Sequence, residues 1–166
     1  RAFKPEPMVA ASVEPRTETL RERWVCVVEH HGPEATVDAT RRPLYRHMII
    51  HELVGGPSIL RFLDRPHGER IVDALVVTHA GFDGDGMCRI ERVPPGPYAV
   101  LDYEGPQEGL PAARERLLAW AQAHGGAAGP LLQVHLMDPM DGLVEQQLQV
   151  PLGETGSLRS PRFAGG

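Results

Sequence analysis

The sequence predicts an α+β domain in which a strand–helix–strand–strand unit occurs twice in tandem. The two copies join into one antiparallel sheet, with two helices on one face and a groove for a ligand on the other. Three observations predict this: a repeat at constant spacing, strand-length apolar runs that stop at Gly-Pro, and helical periodicity just after each stop. Val27–Pro33 reads Val-Val-Glu-His-His-Gly-Pro and recurs as Val-Leu-Asp-Tyr-Glu-Gly-Pro at Val100–Pro106. Gly32 and Gly105 lie 73 residues apart. The same offset carries Leu44 onto Leu117, His51 onto His124, Gly56 onto Gly129, Pro57 onto Pro130 and Pro66 onto Pro139. One offset sustained over about 40 residues marks a duplication.

In chain order, residues 1–19 read as a linker or short edge strand, with Met8–Val13 the candidate. The folded domain spans 20–152, its repeats covering about 24–78 and 97–151, and 153–166 read as a flexible tail. Each copy opens on a strand rich in β-branched and aromatic residues, Trp24–His30 or Tyr98–Tyr103. Gly-Pro then ends the ladder, because proline has no N–H to give. The helix follows. In the second copy Leu110, Ala113, Leu117, Leu118 and Ala121 fall on one helical face, with Arg114, Glu115 and Arg116 mostly on the other. Gly125-Gly126 stops that helix and Gly55-Gly56 its counterpart. Two strands complete each copy: Ser58–Leu63 and Ile71–Thr78, or Leu131–Met137 and Leu143–Val150. Their proline-bearing turns are Asp64–Gly68 and Asp138–Gly142. Neither copy covers its own sheet, so joining the two is the economical packing.

Composition narrows the function. The 166 residues carry a formal net charge of -5 with no Lys/Arg block, which argues against direct contact with nucleic acid. No apolar run approaches the roughly 20 residues of a membrane span, and no signal-peptide pattern is present. A cytoplasmic location with reduced, structural Cys26 and Cys88 is expected. Starting at Arg1, the chain reads as part of a larger protein or as one trimmed upstream of Met8. His47 and His51 have helical i,i+4 spacing, but Glu52 follows them where a zincin glutamate would precede the second histidine. Asp83 and Asp85 lack the closing glutamate of a calcium loop. There is no GxSxG, Walker loop or GxGxxG, so no metal and no cofactor are expected.

The last strand is more informative. Alternation puts Val144, Gln146, Leu148 and Val150 on one face and Glu145, Gln147 and Gln149 on the other. With a 72-residue register, Glu145 lies over Asp73, placing two carboxylates on the uncovered face near the pseudo-twofold axis. A half-buried carboxylate there would favour a lipophilic cation that neutralises it.

These residues resemble the GyrI-like effector-binding domains found as sensors in bacterial MerR- and AraC-type regulators and as stand-alone proteins. The resemblance rests on Glu29–Pro33, Pro95–Pro106, the helix with Leu117 and Trp120, and Glu145–Leu152, and covers residues 20–152. It implies non-catalytic binding of a bulky hydrophobic, often cationic, small molecule between the copies. It assigns pocket walls to Val25, His30, Tyr98 and Tyr103, whereas Trp120, on the second helix where a core residue is expected, reads equally as packing or as pocket wall. The family glutamate falls at Gln147, four residues before Pro151, with Glu145 one pleat away. Such a protein partners with its ligand, with homodimer formation left open. Some relatives resemble hydrolases that open cyclopropane rings, which would make Glu145 a general base. A weaker resemblance, to tetrapyrrole-binding proteins of SOUL type, would make His30 an iron ligand.

Overall fold

The computed structural model describes residues 14–64, 70–79, 86 and 88–153. The Met8–Val13 candidate, the turn around Pro66, nearly all of the Phe82–Gly86 turn and the tail beyond Gly153 lie outside the described residues. Among the described residues eight strands form one antiparallel sheet: β1 (Arg16–Leu20), β2 (Arg23–His30), β3 (Val54–Asp64), β4 (Arg70–Thr78), β5 (Arg89–Val93), β6 (Gly96–Pro106), β7 (Leu131–Met140) and β8 (Leu143–Pro151). Helix α1 (Asp38–Ile50) follows β2, and α2 (Leu110–Ala123) follows β6. Spatial order is β1-β6-β8-β7-β3-β4-β2-β5. At the centre β3 pairs with β7, and Leu60 faces Gln133, two residues 73 apart. The pseudo-twofold axis passes through that pair.

The repeat is longer than the strand–helix–strand–strand unit. β1 and β5 also correspond at 73 residues, and each pairs with the other copy's first long strand: β1 with β6, β5 with β2. This exchange curls the sheet. In a flat sheet β1 and β2 would stand six strand spacings apart, about 29 Å. Only Arg21 and Glu22 join them, and three Cα steps reach at most about 11 Å. The two flanks therefore close on each other, on the side away from the helices. There Arg23 of β2 reaches Gln149 of β8 (2.8 Å) and stacks over the Tyr98 ring of β6 (5.6 Å to the centroid).

Both helices pack on the convex face. Leu110, Leu117 and Ala121 of α2 bury against Ala99, Leu101, Leu131, Leu148 and Val150; Leu44 and Met48 of α1 bury with Cys26, Cys88, Ala74 and Val76. Arg114 differs from its expected solvent-facing place. It is buried, its guanidinium 4.3 Å from the Phe62 ring centre, and it bonds Gln133 and Glu34. Gly125-Gly126 does cap α2, Gly126 N–H bonding Ala121 C=O at 2.8 Å. In the first copy the stop comes earlier. Glu52 adopts φ 57, Leu53 N–H bonds Met48 C=O, and Gly55-Gly56 lie within β3 at a register shift. The β7–β8 turn shrinks to Asp141-Gly142, both left-handed, the usual two-residue hairpin chemistry. Pro106 stays in β6 because at that end only β8 pairs with the strand, leaving the proline nitrogen on an unpaired edge.

Candidate functional site

Strand parity divides the sequence-selected residues between two faces. Val25, Asp73, Tyr98, Glu145 and Gln147 lie on the concave side, whereas His30 and Tyr103 point to the helix side. Trp120 is half-buried against the helix-side core and stacks on His124, ring centres 3.7 Å apart. These eight residues do not form one site.

The middle of the concave face is closed by its own side chains. Val25, Val27, Ile59, Leu75, Val100, Leu132 and Val134 pack into one buried cluster with Val93 and Tyr98. A cavity of about 300 Å³ opens at one end of that cluster, where Val93, Pro94–Pro97 and Tyr98 face Leu132, Pro151 and the Ala128–Pro130 turn. Arg61 and Arg92 reach its edge. Tyr98 is fixed there by burial and by its hydroxyl, which donates to Pro94 C=O at 2.7 Å.

Two polar networks flank this apolar core. Arg61 donates to Asp73 (2.6 and 3.0 Å) and to Glu91 (2.8 Å), with Asp73 almost wholly buried. Burial alone would lower the Arg61 guanidinium's pKa; the hydrogen bonds and charges of Glu91 and Asp73 outweigh it and hold it raised. On the other flank a chain runs from Arg23 to Gln149, Gln147, Asp102 and Arg16. Burial would raise the Asp102 carboxyl, but bonds from Gln147 and Arg16, with the Arg16 charge, keep it below its ordinary range. Arg23 keeps two buried nitrogens, Nε and Nη2, without a partner among the described residues.

Glu145 does not lie over Asp73. Leu60 pairs with Ala74 and Gln133 with Leu148, so the counterpart of Asp73 is Gln147, at an offset of 74. Glu145 instead stands opposite Glu104 on β6 and Met137 on β7. It is not among the residues lining the concave cavity. Among the described residues whose strand parity puts them on the concave face, Glu18, Glu29, Asp73, Glu91, Asp102, Glu104 and Glu145 outnumber Arg16, Arg23, Arg61 and Arg89, even with Arg92 at the cavity edge added. The face is net acidic, although its most buried carboxylate is paired.

His30 is held by both ring nitrogens. Nε2 lies 2.9 Å from Pro33 C=O and Nδ1 2.7 Å from Thr40 Oγ1. A carbonyl only accepts, so Nε2 carries the proton and Nδ1 accepts from the threonine. Neither nitrogen offers a lone pair to iron, and the residue does not suit the tetrapyrrole role. Sequence reasoning passed over Arg16, Arg23, Arg61 and Asp102. Their signal was present: arginine within a strand's alternation needs an acid or a ring across the sheet, and each has one.

The sequence matches the family described as GyrI-like small molecule binding domain over residues 13–152. No curated protein matches it. Among solved structures the EcmrR C-terminal domain is similar at TM-score 0.71 and 13% identity, covering 86% of this chain and 99% of that one. SAV2435 bound to tetraphenylphosphonium is similar at TM-score 0.61 and 10% identity, with 88% and 98% covered. A hydrolase from Listeria innocua gives TM-score 0.59 and 12% identity, with 84% and 92% covered.

Proposed function

Because this chain belongs to the family of GyrI-like small-molecule binding domains, we propose that it takes up a bulky hydrophobic cation on its concave face, reversibly and without chemistry, as a sensory or sequestering module. The cavity between Tyr98, Val93, Leu132 and the two proline-rich turns is the observation that carries this reading. Its walls are largely apolar, with Arg61 and Arg92 at the edge, and its volume suits a small organic molecule. Asp73 and Glu91 beside it pair with Arg61, so that the attraction for a cation comes from the wider acidic face and not from the cavity wall. The similarity to a regulator's C-terminal domain and to a tetraphenylphosphonium-bound protein supports the same reading. In a regulator such a domain would report ligand to a separate DNA-binding segment.

Turnover is not expected. A general base must hold a proton-accepting atom beside the substrate. At the family's glutamate position Gln147 has only an amide, and that amide already donates to Asp102 at 2.8 Å. Titrating tetraphenylphosphonium and a neutral compound of the same shape while following Trp24 and Trp120 fluorescence tests the proposal. The cation should bind more tightly, and filling the cavity by Ala128→Trp, an exposed lining position, should weaken it about tenfold, or roughly 1.4 kcal/mol. Equal affinities, or an unaffected Ala128→Trp, would count against the site. Incubation with a cyclopropane-bearing alkylating agent should give no multiple-turnover product by mass spectrometry.

A further inference from the structure

We propose a second ligand site, on the helix side of the sheet, that takes a small organic oxyanion such as a carboxylate or a phosphate ester. A cavity of about 480 Å³ lies there beside the pseudo-twofold axis, roofed by the first turns of α1 and floored by β3, β7 and β8. Its pseudo-symmetric mate, about 470 Å³, lies beside α2. The two halves have diverged in a definite direction.

Beside the mate, Arg114 is satisfied on every side. Phe62 lies under its guanidinium, Gln133 accepts at 2.7 Å, and Glu34 supplies a carboxylate at 3.1 Å. Shifting these residues by 73 gives Arg41 with His135, Leu60 and Gln107 around it. The carboxylate has become an amide and the accepting amide an apolar side chain. Arg41 keeps one ion pair, through Nε to Asp38 at 2.9 Å, and Asp38 sits at the exposed rim. Glu115 of the mate is replaced by Arg42, so the cavity has two guanidinium groups against one carboxylate.

The floor has changed as well. Leu131 lines the mate, and its counterpart here is Ser58, 5% exposed, whose hydroxyl has no hydrogen-bond partner among the described residues. A buried hydroxyl without a partner is unfavourable where leucine is tolerated in the symmetric position, and because Ser58 lines the cavity a polar group bound there would supply the missing partner. Buried Gln133 and Gln146 line the same floor. An anionic head at Arg41 and Arg42, with a second polar group reaching Ser58, meets these requirements together. This site shares no lining residue with the concave cavity.

The full chain should be titrated by calorimetry with inorganic phosphate, glucose 6-phosphate and citrate, with thermal melts in parallel. Binding of a phosphate or of the carboxylate supports the site and identifies which oxyanion it prefers. Arg41→Gln should weaken that binding at least about tenfold and Ser58→Ala severalfold, while tetraphenylphosphonium binding stays as in the wild type. Ala128→Trp should leave the anion unaffected, so failure on the concave face is read separately. Should Arg41→Gln not fold, Arg42→Gln reads the same charge. No heat and no stabilisation with any of the three up to about 10 mM, or wild-type affinity in the folded arginine variant, would overturn the proposal.

Discussion

Tyr103 and His30 occupy equivalent positions and hold equivalent bends with different atoms. The Tyr103 hydroxyl donates to Pro106 C=O at 2.5 Å, as His30 Nε2 does to Pro33 C=O. Each ties the proline of Gly-Pro back to its own strand, which aims the following helix across the sheet. The tyrosine needs room, and Gly109 provides it: a Cβ there would overlap the phenol oxygen. Gly109→Ala should therefore destabilise by about 1–3 kcal/mol through overpacking and loss of that bond. Urea denaturation measures it, and a change within experimental error would mean the loop yields freely. Tyr98 and Tyr103 are five residues apart in one strand, an odd number, so their opposite faces were legible from alternation alone. Arg114 was not. Its burial depends on Phe62, Gln133 and Glu34, which lie on other elements and, for Phe62 and Glu34, in the other copy; helical periodicity carries no such information.

At the scale of elements, the edge strands were the least well placed. A short strand was expected within residues 1–19, with Met8–Val13 the candidate, where the structure has β1 at Arg16–Leu20, and β5 was not expected. The signal for both was nonetheless in the sequence. Arg16-Thr-Glu-Thr-Leu20 and Arg89-Ile-Glu-Arg-Val93 share arginine, glutamate and a terminal aliphatic residue at the common offset. Five residues with alternate exposure make a weak strand pattern, and β1 depends on its anchors. Arg16 provides the side-chain anchor, bonding Asp102 of β6 at 2.8 Å, while Glu18 of the same strand holds its guanidinium at 2.5 Å. The Asp102 carboxyl titrates below its free value of about 3.9. A depressed folded pKa gives stabilisation that is complete above the unfolded pKa and lost as pH falls through the folded one. The link should thus hold from neutrality to about pH 4 and fail below it. Both partners are nearly half exposed, so the effect is local. Amide protection factors, corrected for the intrinsic pH dependence of exchange, should fall in Arg16–Leu20 at acid pH ahead of β6, and Asp102→Asn should abolish that step. A uniform loss of protection across the sheet would show that β1 has other anchors. The misplaced helix stop has a comparable cause: Gly55-Gly56 looked like a cap, but Glu52 adopts the left-handed turn and frees the glycines for a strand bulge, a choice set by sheet register.

At the scale of the molecule, the duplication, the single sheet and the placement of both helices on one face followed from the repeat spacing. The strand order did not. Pairing β1 with β6 joins segments about 80 residues apart, and no local pattern reports it. The same is true of the concave filling, which arises because two-residue links draw the flanks together. The exchanged edge strands have one further consequence, which concerns ancestry. A lone repeat, residues 14–79, would carry a β1 with no partner in its own unit and two unpaired long edges. Two such chains related by a true twofold would restore every pairing, with β3 against β3 and each β1 crossing to its neighbour. The chain thus has the form of a fused homodimer, each half an incomplete fold without the other. Residues 14–79 expressed alone should elute as a dimer if they fold, with cross-chain proximity of Leu20 to Arg23 detectable by engineered disulfides; a folded monomer would show that the exchange arose after the fusion.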